Sequence, residues 1–329
     1  MANVLHLLLP GRDKLAHIPE FTAWLARGTS LPSAVPGYLA ALAEHFRWPS
    51  GPLPAAALIR QAVAGDAGDA LWLCADPAWV QPELNGARLL GCGNLGVLPE
   101  EAEGMVVALA ETFSAEGMSL SVGDPQHWQL RVPEYVGVPA FPEPEEALGA
   151  DLFEQLPQGE EGRRWRALLN EAQVVLHNHP TNALRTREGL PPINSVWLWG
   201  AGVLPDWVEC GQQRIYSDDL LVWALAQKAD VEVQPRSALL SGGTNETRTS
   251  VGARLRAMHA GDTPESRASA LLQISLLDLQ DIQPTAFERD WWPMLQSHLD
   301  AGTELRLSFA DGRRMVLRKR HRLRFWRKA

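Results

Sequence analysis

Apolar and polar positions follow two recurring patterns along this chain. Short apolar runs ended by Pro or Gly, such as Val4–Leu9 before Pro10, predict buried strands, whereas apolar residues spaced three and four apart predict amphipathic helices. The predicted strands are residues 4–9, 71–74, 118–122, 128–132, 195–199, 231–233, 305–309 and 315–317. The predicted helices are residues 18–27, 38–46, 54–64, 100–116, 162–177, 218–227 and 288–300. Residues 269–279 fit either a helix or a strand, and residues 133–160 and 241–250 are predicted to be loops.

The order of these elements predicts the fold class. Strands alternate with helices over most of the chain, which indicates an α/β fold built around a sheet. Residues 305–317 predict a closing hairpin across Asp311 and Gly312. No internal repeat is visible in the sequence.

Composition narrows the class of protein. The chain has 329 residues, 46% of them hydrophobic and 21% charged, which fits one large α/β domain or two smaller ones. Three cysteines match no metal-binding spacing and form no disulfide framework, so a reducing, cytoplasmic compartment is expected. No signal peptide and no membrane span is predicted. Thirteen Trp residues serve either as core filler or for aromatic ligand stacking.

The net charge of −9 hides an asymmetry. Residues 313–329 carry nine Lys or Arg and no acid, whereas residues 1–312 carry 21 basic and 39 acidic residues. The acidic part should repel nucleic acid and anionic membranes. The basic segment from Arg313 to Lys328 has two interpretations: its side chains pair with the acidic part as a hairpin strand, or they contact anionic lipid, RNA or an acidic partner.

The segment from His179 to Pro205 carries the most specific chemistry. Asn182 and Arg185 share one face of a short helix, and an Arg suits a phosphate or a carboxylate. Two alternatives stay open for these residues and Asn194. They either line a ligand pocket or hydrogen-bond the backbone of a tight, Pro- and Gly-rich turn. His179 with the nearby His177 is either a helix-end feature or a metal pair.

This segment also supports a family resemblance. It reads His-Pro-x-Asn-x-x-Arg-x-x-x-Gly-x-Pro-Pro-x-Asn from His179, followed by Gly-Ala-Gly-x-x-Pro from Gly200. That pattern resembles the archaeal-type cofactor-independent phosphoglycerate mutases of the alkaline phosphatase superfamily. Weaker similarity covers residues 18–28, 50–56 and 68–75. The whole pattern also resembles the bacterial phosphoglycerate-mutase-like regulatory proteins of the RpfE type.

The resemblance implies an architecture. It implies an α/β fold with an alkaline-phosphatase-like core sheet and an inserted α/β lid domain. The core would comprise residues 1–65 plus 206–312, the lid residues 66–205, and the basic C-terminal segment residues 313–329.

The resemblance also implies chemistry that this sequence lacks. Family members use two divalent metal ions such as Mn or Mg to activate a Ser nucleophile. Here the first strand ends without the family's Asp, and the nucleophile motif has Tyr38 and Leu39 in place of Ser and Asp. The two remaining ligand motifs fall near Asp278 with Asp281 and near Asp311, each without its His. Neither catalytic nor metal-binding residues are therefore assigned, and no cofactor is expected. A metal pair at Asp278 and Asp281, or at Asp218 and Asp219, is the alternative.

The residues that the family pattern places on the substrate side are also replaced. The Arg before Gly-Ala-Gly is replaced by Trp199, and the family's substrate-side His/Arg pair falls at His127 and Trp128. A Trp face favours a planar or apolar ligand over a phosphate. The predicted ligand-binding residues are His127, Trp128, His179, Asn182, Arg185, Asn194 and Trp199.

Three functional hypotheses follow. The first is a non-catalytic, phosphoglycerate-mutase-like regulatory protein that binds an unknown small molecule or a regulatory protein. The second is a metal-dependent phosphoglycerate mutase or phosphoesterase with a rearranged site. The third is an adaptor that uses its basic C-terminal segment, the one part expected to contact nucleic acid.

Overall fold

The computed structural model describes residues 3–49, 51–84, 86–240 and 274–324. The chain divides into two compact units: Met1–Trp48 with Trp207–Ala329 form the first, and Pro49–Asp206 form the second. The sequence-based division instead placed residues 49–65 in the core and ended the core at 312. The predicted loop 241–250 lies outside the described residues, and the segment 269–279 is described only from Ile274 onward, where it is a strand.

The described elements mix helices and strands throughout, so the predicted mixed α/β class is confirmed. The strands are β1 Val4–Leu9, β2 Thr29–Leu31, β3 Phe46–Arg47, β4 Leu71–Glu83, β5 Gly86–Cys92, β6 Ser119–Asp124, β7 His127–Val132, β8 Ser195–Gly202, β9 Glu209–Cys210, β10 Arg214–Tyr216, β11 Glu232–Gln234, β12 Ile274–Asp278, β13 Glu304–Phe309 and β14 Arg314–Leu317. The helices are α1 Pro19–Arg27, α2 Tyr38–Leu42, α3 Ala55–Ala64, α4 Pro99–Ser114, α5 Pro144–Ala147, α6 Leu152–Gln155, α7 Gly159–His177, α8 Pro180–Arg187, α9 Leu220–Lys228, α10 Ser237–Leu240, α11 Pro284–Ala286 and α12 Trp292–Asp300.

A seven-stranded sheet organises the first unit, in the order β11-β10-β12-β1-β13-β14-β2. β1 pairs in parallel with both β12 and β13, so Leu7 lies between Leu277 and Leu307. Parallel strands in the middle of such a sheet are buried on both faces, which explains the nearly continuous apolar run of β1. β13 and β14 form the predicted hairpin and pair antiparallel.

Aromatic side chains fill the core beside this sheet. Phe21 on α1 contacts Phe287 and Trp292 edge to face, with ring centroids 5.0 and 4.9 Å apart. These residues belong to one apolar cluster with Trp291 and Phe309. Many of the Trp residues are therefore core filler, because each buries a large apolar area.

Two histidines are held neutral within the first unit. His6 on β1 and His45 before β3 meet edge to face with ring centroids 5.0 Å apart. Burial, together with the nearby Arg306, lowers the pKa of His6 to about 4. Burial, together with His6 and Arg314, lowers the pKa of His45 to about 3. At neutral pH both rings are uncharged.

Acid is therefore expected to destabilise the first unit through His6 and His45. In the unfolded chain these histidines bind protons near pH 6.5, whereas in the folded protein they stay neutral until lower pH. The contribution of the neutral pair to folding stability is therefore complete above pH 6.5 and is lost as the pH falls toward 4. Allowing for partial exposure, the free energy of unfolding should fall by about 2 kcal/mol between pH 7 and pH 4.5. Urea unfolding of the wild type and His45→Asn at both pH values checks this. An equal pH dependence in the two proteins would contradict it.

Basic side chains near the end of the described chain pair with acidic ones. Arg318 Nε lies 2.5 Å from a Glu304 carboxylate oxygen, and Arg322 lies 3.1 Å from Asp300. Arg314 is paired with Glu44. These contacts agree with the first interpretation of the basic segment, whereas residues 325–329 lie outside the described part.

The second unit contains a five-stranded antiparallel sheet with β4 at its centre. β4 pairs with β5, β7 and β8, and β6 pairs with β7. Helix α3 packs against β4, β6 and β8, whereas α4 packs against β6 and α7. At Gly202 a side chain would collide with Pro54, whose Cα lies 3.0 Å from an ideal Cβ position, so glycine allows α3 to approach β8 closely. Within the described ranges, no helix combines the length and apolar character needed to cross a membrane.

Candidate functional site

The carboxyl edge of the first sheet gathers polar residues. β1, β10, β12 and β13 run parallel, so the residues after their carboxyl ends meet at one edge. Ser217 follows β10, Asp278 ends β12 and Asp311 follows β13. Ligands of open α/β sheets bind at this edge, which makes it the first place to look for chemistry.

Asp278 is the most perturbed group at the carboxyl edge. Only 2% of it is exposed, and one carboxylate oxygen accepts hydrogen bonds from Ser217 Oγ at 2.8 Å and Tyr38 Oη at 3.4 Å. The pKa of Asp278 is raised to about 7, chiefly by burial and by the nearby Asp219 carboxylate, against the lowering effect of Arg236. The carboxyl group is thus partly protonated at neutral pH.

Tyr38 occupies the position of the motif where the family resemblance implies a Ser nucleophile. It begins α2 directly after Gly37, whose φ of 123° favours glycine. Burial raises the pKa of Tyr38 well above its usual value, and the neighbouring Asp219 and Asp278 carboxylates raise it further. Its hydroxyl therefore stays protonated and acts as a donor to Asp278.

A single guanidinium is ion-paired with two outer carboxylates of the edge. Arg236 is 10% exposed; its Nε lies 2.8 Å from Asp218, and its two terminal nitrogens lie 2.6 and 3.1 Å from Asp281. Asp219 accepts a hydrogen bond from Val222 N at the start of α9. Within residues 3–240 and 274–324, as far as described, no three His, Cys, Asp or Glu side chains are grouped so as to hold a metal ion.

A second polar cluster lies within the second unit. Asp76 on β4 is 1% exposed, yet its two carboxylate oxygens are both paired. His127 Nδ1 lies 3.1 Å from Oδ1, and Trp199 Nε1 donates to Oδ2 at 2.7 Å. The structure therefore brings together two of the residues that the sequence offered as ligand-binding, through a carboxylate that the sequence did not single out.

Trp128 lies apart from this cluster. It is fully buried, and its Nε1 donates to the carbonyl of Pro125 at 3.2 Å. Side chains alternate between the faces of a strand, so Trp128 and its neighbour His127 on β7 point to opposite faces.

The two predicted asparagines hydrogen-bond backbone groups. Asn182 Nδ2 donates to the carbonyls of Leu176 and Ile193 at 2.7 and 2.8 Å, and its Oδ1 accepts from Ile193 N. Asn194 bonds both the N–H and the carbonyl of Val80 at 2.8 Å. These contacts favour the interpretation that the asparagines stabilise an irregular turn.

The side chain of Arg185 likewise hydrogen-bonds groups within the second unit. It is 0% exposed, and its guanidinium donates to the carbonyls of Pro191 and Leu95 at 2.9 and 2.6 Å and to Glu101 at 2.8 Å. The remaining predicted residue, His179, caps α8 without a side-chain cap bond, and its buried Nδ1 has no hydrogen-bond partner. The completely buried guanidinium of Arg185 thus uses three of its five N–H donors on groups of the protein itself.

Sequence reasoning missed Asp76 and Gln129. Asp76 interrupts the apolar run of β4, and a carboxylate just beyond the predicted strand 71–74 was a usable signal. Gln129 on β7 is 0% exposed, and neither its side-chain nitrogen nor its oxygen has a hydrogen-bond partner. Nothing local in the sequence distinguishes it from a surface residue of an alternating strand.

Curated phosphoglycerate mutases match this chain over a short segment. No family model matches the chain. A probable 2,3-bisphosphoglycerate-independent phosphoglycerate mutase of Geobacter sulfurreducens is 45% identical over 62 residues, which is 19% of this chain and 16% of that protein. The 2,3-bisphosphoglycerate-independent phosphoglycerate mutase of Methanosarcina mazei is 39% identical over 62 residues, with the same two coverages. The chain is related in part to cofactor-independent phosphoglycerate mutases. It spans about a sixth of the length of these curated relatives.

Solved structures align over most of the chain at low similarity. The PH0037 protein from Pyrococcus horikoshii has 15% identity and a TM-score of 0.47, covering 96% of this chain and 87% of its own. The cofactor-independent phosphoglycerate mutase from Thermoplasma acidophilum has 14% identity and a TM-score of 0.35, covering 97% and 90%.

Proposed function

We propose that this chain is a phosphoglycerate-mutase-like regulatory protein that binds a small molecule or a protein and does not transfer phosphoryl groups by a two-metal mechanism. The observation that carries the proposal is Arg236. Its guanidinium is bound to Asp218 and Asp281 at the carboxyl edge of the first sheet. Two carboxylates that could serve a divalent cation are thereby already ion-paired with a protein cation.

The other groups at this edge support the same proposal. A metal that activates a nucleophile needs anionic ligands and a hydroxyl that can lose its proton. Asp278 is partly protonated at neutral pH because burial raises its pKa to about 7. Tyr38, in the place of the nucleophile, has a raised pKa and stays a neutral phenol. The residues present therefore fit a pair of divalent metal ions poorly.

The proposal also assigns a structural role to each of the two units. In it, the mostly parallel sheet of the first unit is a degenerate alkaline-phosphatase-like core, and the second unit is the inserted lid domain. Support comes from chain order, because residues 49–206 interrupt the first unit. A cytoplasmic location and the RpfE-type regulatory group are part of the same proposal, and the three free cysteines suit a reducing compartment.

The ligand site of the proposal is the cluster of Asp76, His127 and Trp199. The two predicted residues meet on one buried carboxylate, which fixes the orientation of both rings. Arg185, the predicted phosphate partner, is bound to Glu101 and two carbonyls instead. This arrangement favours a neutral or planar ligand over a phosphorylated one.

The names of the partial relatives favour a second candidate, a metal-dependent phosphoglycerate mutase with a rearranged site. An activity assay separates the two candidates. We expect phosphoglycerate interconversion and phosphatase turnover no higher than a protein-free blank, with Mn²⁺ or Mg²⁺ added, because Asp218 and Asp281 are already ion-paired with Arg236 and the buried Asp278 is partly protonated. The Methanosarcina mazei mutase serves as positive control. Turnover that is lost in Asp278→Asn would overturn the proposal and establish the second candidate.

A further inference from the structure

The charge of this chain is divided unevenly between its two units. The first unit has 22 Lys or Arg residues and 18 Asp or Glu residues, whereas the second unit has 8 and 21. The excess of positive charge therefore belongs to the first unit alone. Where that charge lies on the first unit decides which kind of partner it attracts.

A concentration of basic residues lies around a 3₁₀ turn formed by Lys319–Leu323. The turn follows β14 directly, and Leu317 at the end of β14 pairs with Leu305 near the start of β13. β13 itself begins beside Val4 of β1. The turn therefore lies at the amino edge of the sheet, where the parallel strands begin, and opposite the carboxyl edge that contains Asp278.

Hydrogen bonds around a buried histidine hold this turn in place. His321 is 0% exposed; its Nδ1 accepts a hydrogen bond from Arg318 N at 3.3 Å, and its Nε2 lies 3.4 Å from Thr29 Oγ1. The side chain of Arg324 donates to the carbonyl of Arg27, at the end of α1, at 3.1 Å. The basic side chains of the turn thus belong to a defined surface of the first unit.

Five cationic side chains within seven residues form this surface, which we call the basic face. They are Arg318, Lys319, Arg320, Arg322 and Arg324. Two carboxylates are ion-paired with the basic face, Glu304 with Arg318 and Asp300 with Arg322. Arg320 is exposed and contacts no acidic side chain in the described part of the chain. The basic face therefore keeps more cations than the carboxylates paired with it can balance.

An exposed apolar side chain lies among these cations. Leu323 is 71% exposed although Arg322 and Arg324 flank it. Cations attract any polyanion, but an exposed aliphatic side chain is stabilised only where it can leave water. Leu323 cannot stack on a nucleic-acid base, which is how proteins hold single-stranded RNA. Cations combined with an aliphatic side chain are typical of proteins that lie on anionic bilayers.

The carboxylates at the carboxyl edge lie too far away to cancel this attraction. β1 and β13 have six residues each, so the two edges of the sheet are about 20 Å apart. At physiological salt, exposed charges separated by more than about 8 Å are largely screened from each other. A bilayer at the amino edge therefore meets the cations of the basic face and not the carboxylates around Asp278.

We propose that the basic face is a membrane-contact surface, by which this protein lies on a bilayer that contains anionic phospholipids. The guanidinium groups and the Lys319 ammonium contact lipid phosphates, and Leu323 reaches the boundary between headgroups and acyl chains. The inference is independent of the proposed function, because the basic face lies at the edge of the sheet opposite Arg236 and Asp278.

Co-sedimentation of the full-length protein with lipid vesicles is the first test. The protein should bind vesicles of phosphatidylcholine that contain about 30% phosphatidylserine, and about 0.5 M NaCl should release it. Vesicles of phosphatidylcholine alone should not bind it. The inference fails if the anionic vesicles bind no protein, if salt does not weaken binding, or if both kinds of vesicle bind equally.

A charge variant tests whether the basic face makes the contact. Each cation near an anionic bilayer strengthens binding about fivefold, so Arg320→Gln combined with Arg322→Gln should weaken binding about 25-fold. The matched control is Arg289→Gln combined with Arg313→Gln, which removes the same charge from exposed positions of the first unit outside the basic face. It should bind within about twofold of the wild type. Equal binding by the two variants, once thermal melting shows both to be folded, would overturn the assignment.

A further variant separates lipid from other polyanions. Leu323→Gln keeps the charge of the basic face but removes its aliphatic side chain, so vesicle binding should weaken about tenfold while retention on a heparin column stays unchanged. Vesicle binding equal to that of the wild type would assign the basic face to RNA or an acidic protein instead. Tighter binding of poly(U) RNA than of the anionic vesicles would lead to the same rejection.

Discussion

Replacing Arg185 by alanine is expected to lower the free energy of unfolding by about 3–5 kcal/mol, because it leaves buried partners without their cation. The guanidinium is completely buried and satisfies Glu101 together with the carbonyls of Leu95 and Pro191. Thermal or urea unfolding followed by Trp fluorescence measures the loss.

A matched control lies two residues further along the same helix. Arg187→Ala removes an exposed Arg from the same helix, α8, and should change stability by less than about 0.5 kcal/mol. Arg185→Lys should remain destabilised, since an ammonium group cannot reach three acceptors that fit a planar fork. If Arg185→Ala were as stable as Arg187→Ala, the structural role of Arg185 would be refuted and a ligand role would regain support.

The second large effect concerns Asp278 and pH. Asp278→Asn mimics the protonated carboxyl group, so it should stabilise the protein at high pH and have little effect at low pH. The folded pKa of about 7 lies above the usual 3.8, so the wild-type contribution is complete below pH 3.8 and is lost as the pH rises through 7. The advantage of the variant should grow by about 3 kcal/mol between pH 4.5 and pH 8.

Urea unfolding of both proteins at these two pH values measures that growth. Asp13→Asn, at an exposed position of the first unit, is the control and should show a flat difference. The His6 and His45 pair acts in the opposite direction over the same range but cancels when the wild type is compared with Asp278→Asn. A variant that is less stable than the wild type at pH 8 would show that the ionised carboxylate is well paired and would contradict the assigned pKa.

Local pattern was sufficient for much of the first unit. The apolar run of β1 and the turn residues at Asp311 and Gly312 predicted a buried strand and a closing hairpin, and both are confirmed. The helix predicted at 288–300 begins earlier, with a short π-helical turn at Phe287–Trp291 before α12. These elements follow from residues close in sequence, which is where pattern is informative.

The second unit shows where local pattern fails. The sequence predicted a strand at 71–74, but β4 continues to Glu83 and β5 follows it. Asp76 and Pro77 suggested a break, because a carboxylate and a proline are both unfavourable within a strand. The carboxylate is stabilised by Trp199, which lies 123 residues further along the chain. The predicted loop 133–160 similarly contains the short helices α5 and α6.

For the candidate site, too, some residues could be predicted from the sequence and others could not. His127 and Trp199 could be selected from sequence because a family pattern drew attention to their positions. The partners that decide the roles of Arg185 and Asp76 are tertiary: Glu101 is 84 residues from Arg185, and His127 is 51 residues from Asp76. Sequence spacing carries no information about such contacts until the fold is known.

The pairing of β1 has a consequence for how the protein is made. β1 contains residues 4–9, yet its two neighbours in the sheet begin at Ile274 and Glu304. During synthesis on the ribosome this apolar strand lacks both neighbours until more than 260 further residues have been synthesised. Residues 49–206 are contiguous and can fold in the interval. On the ribosome, the second unit can therefore be folded while the sheet of the first unit is still incomplete.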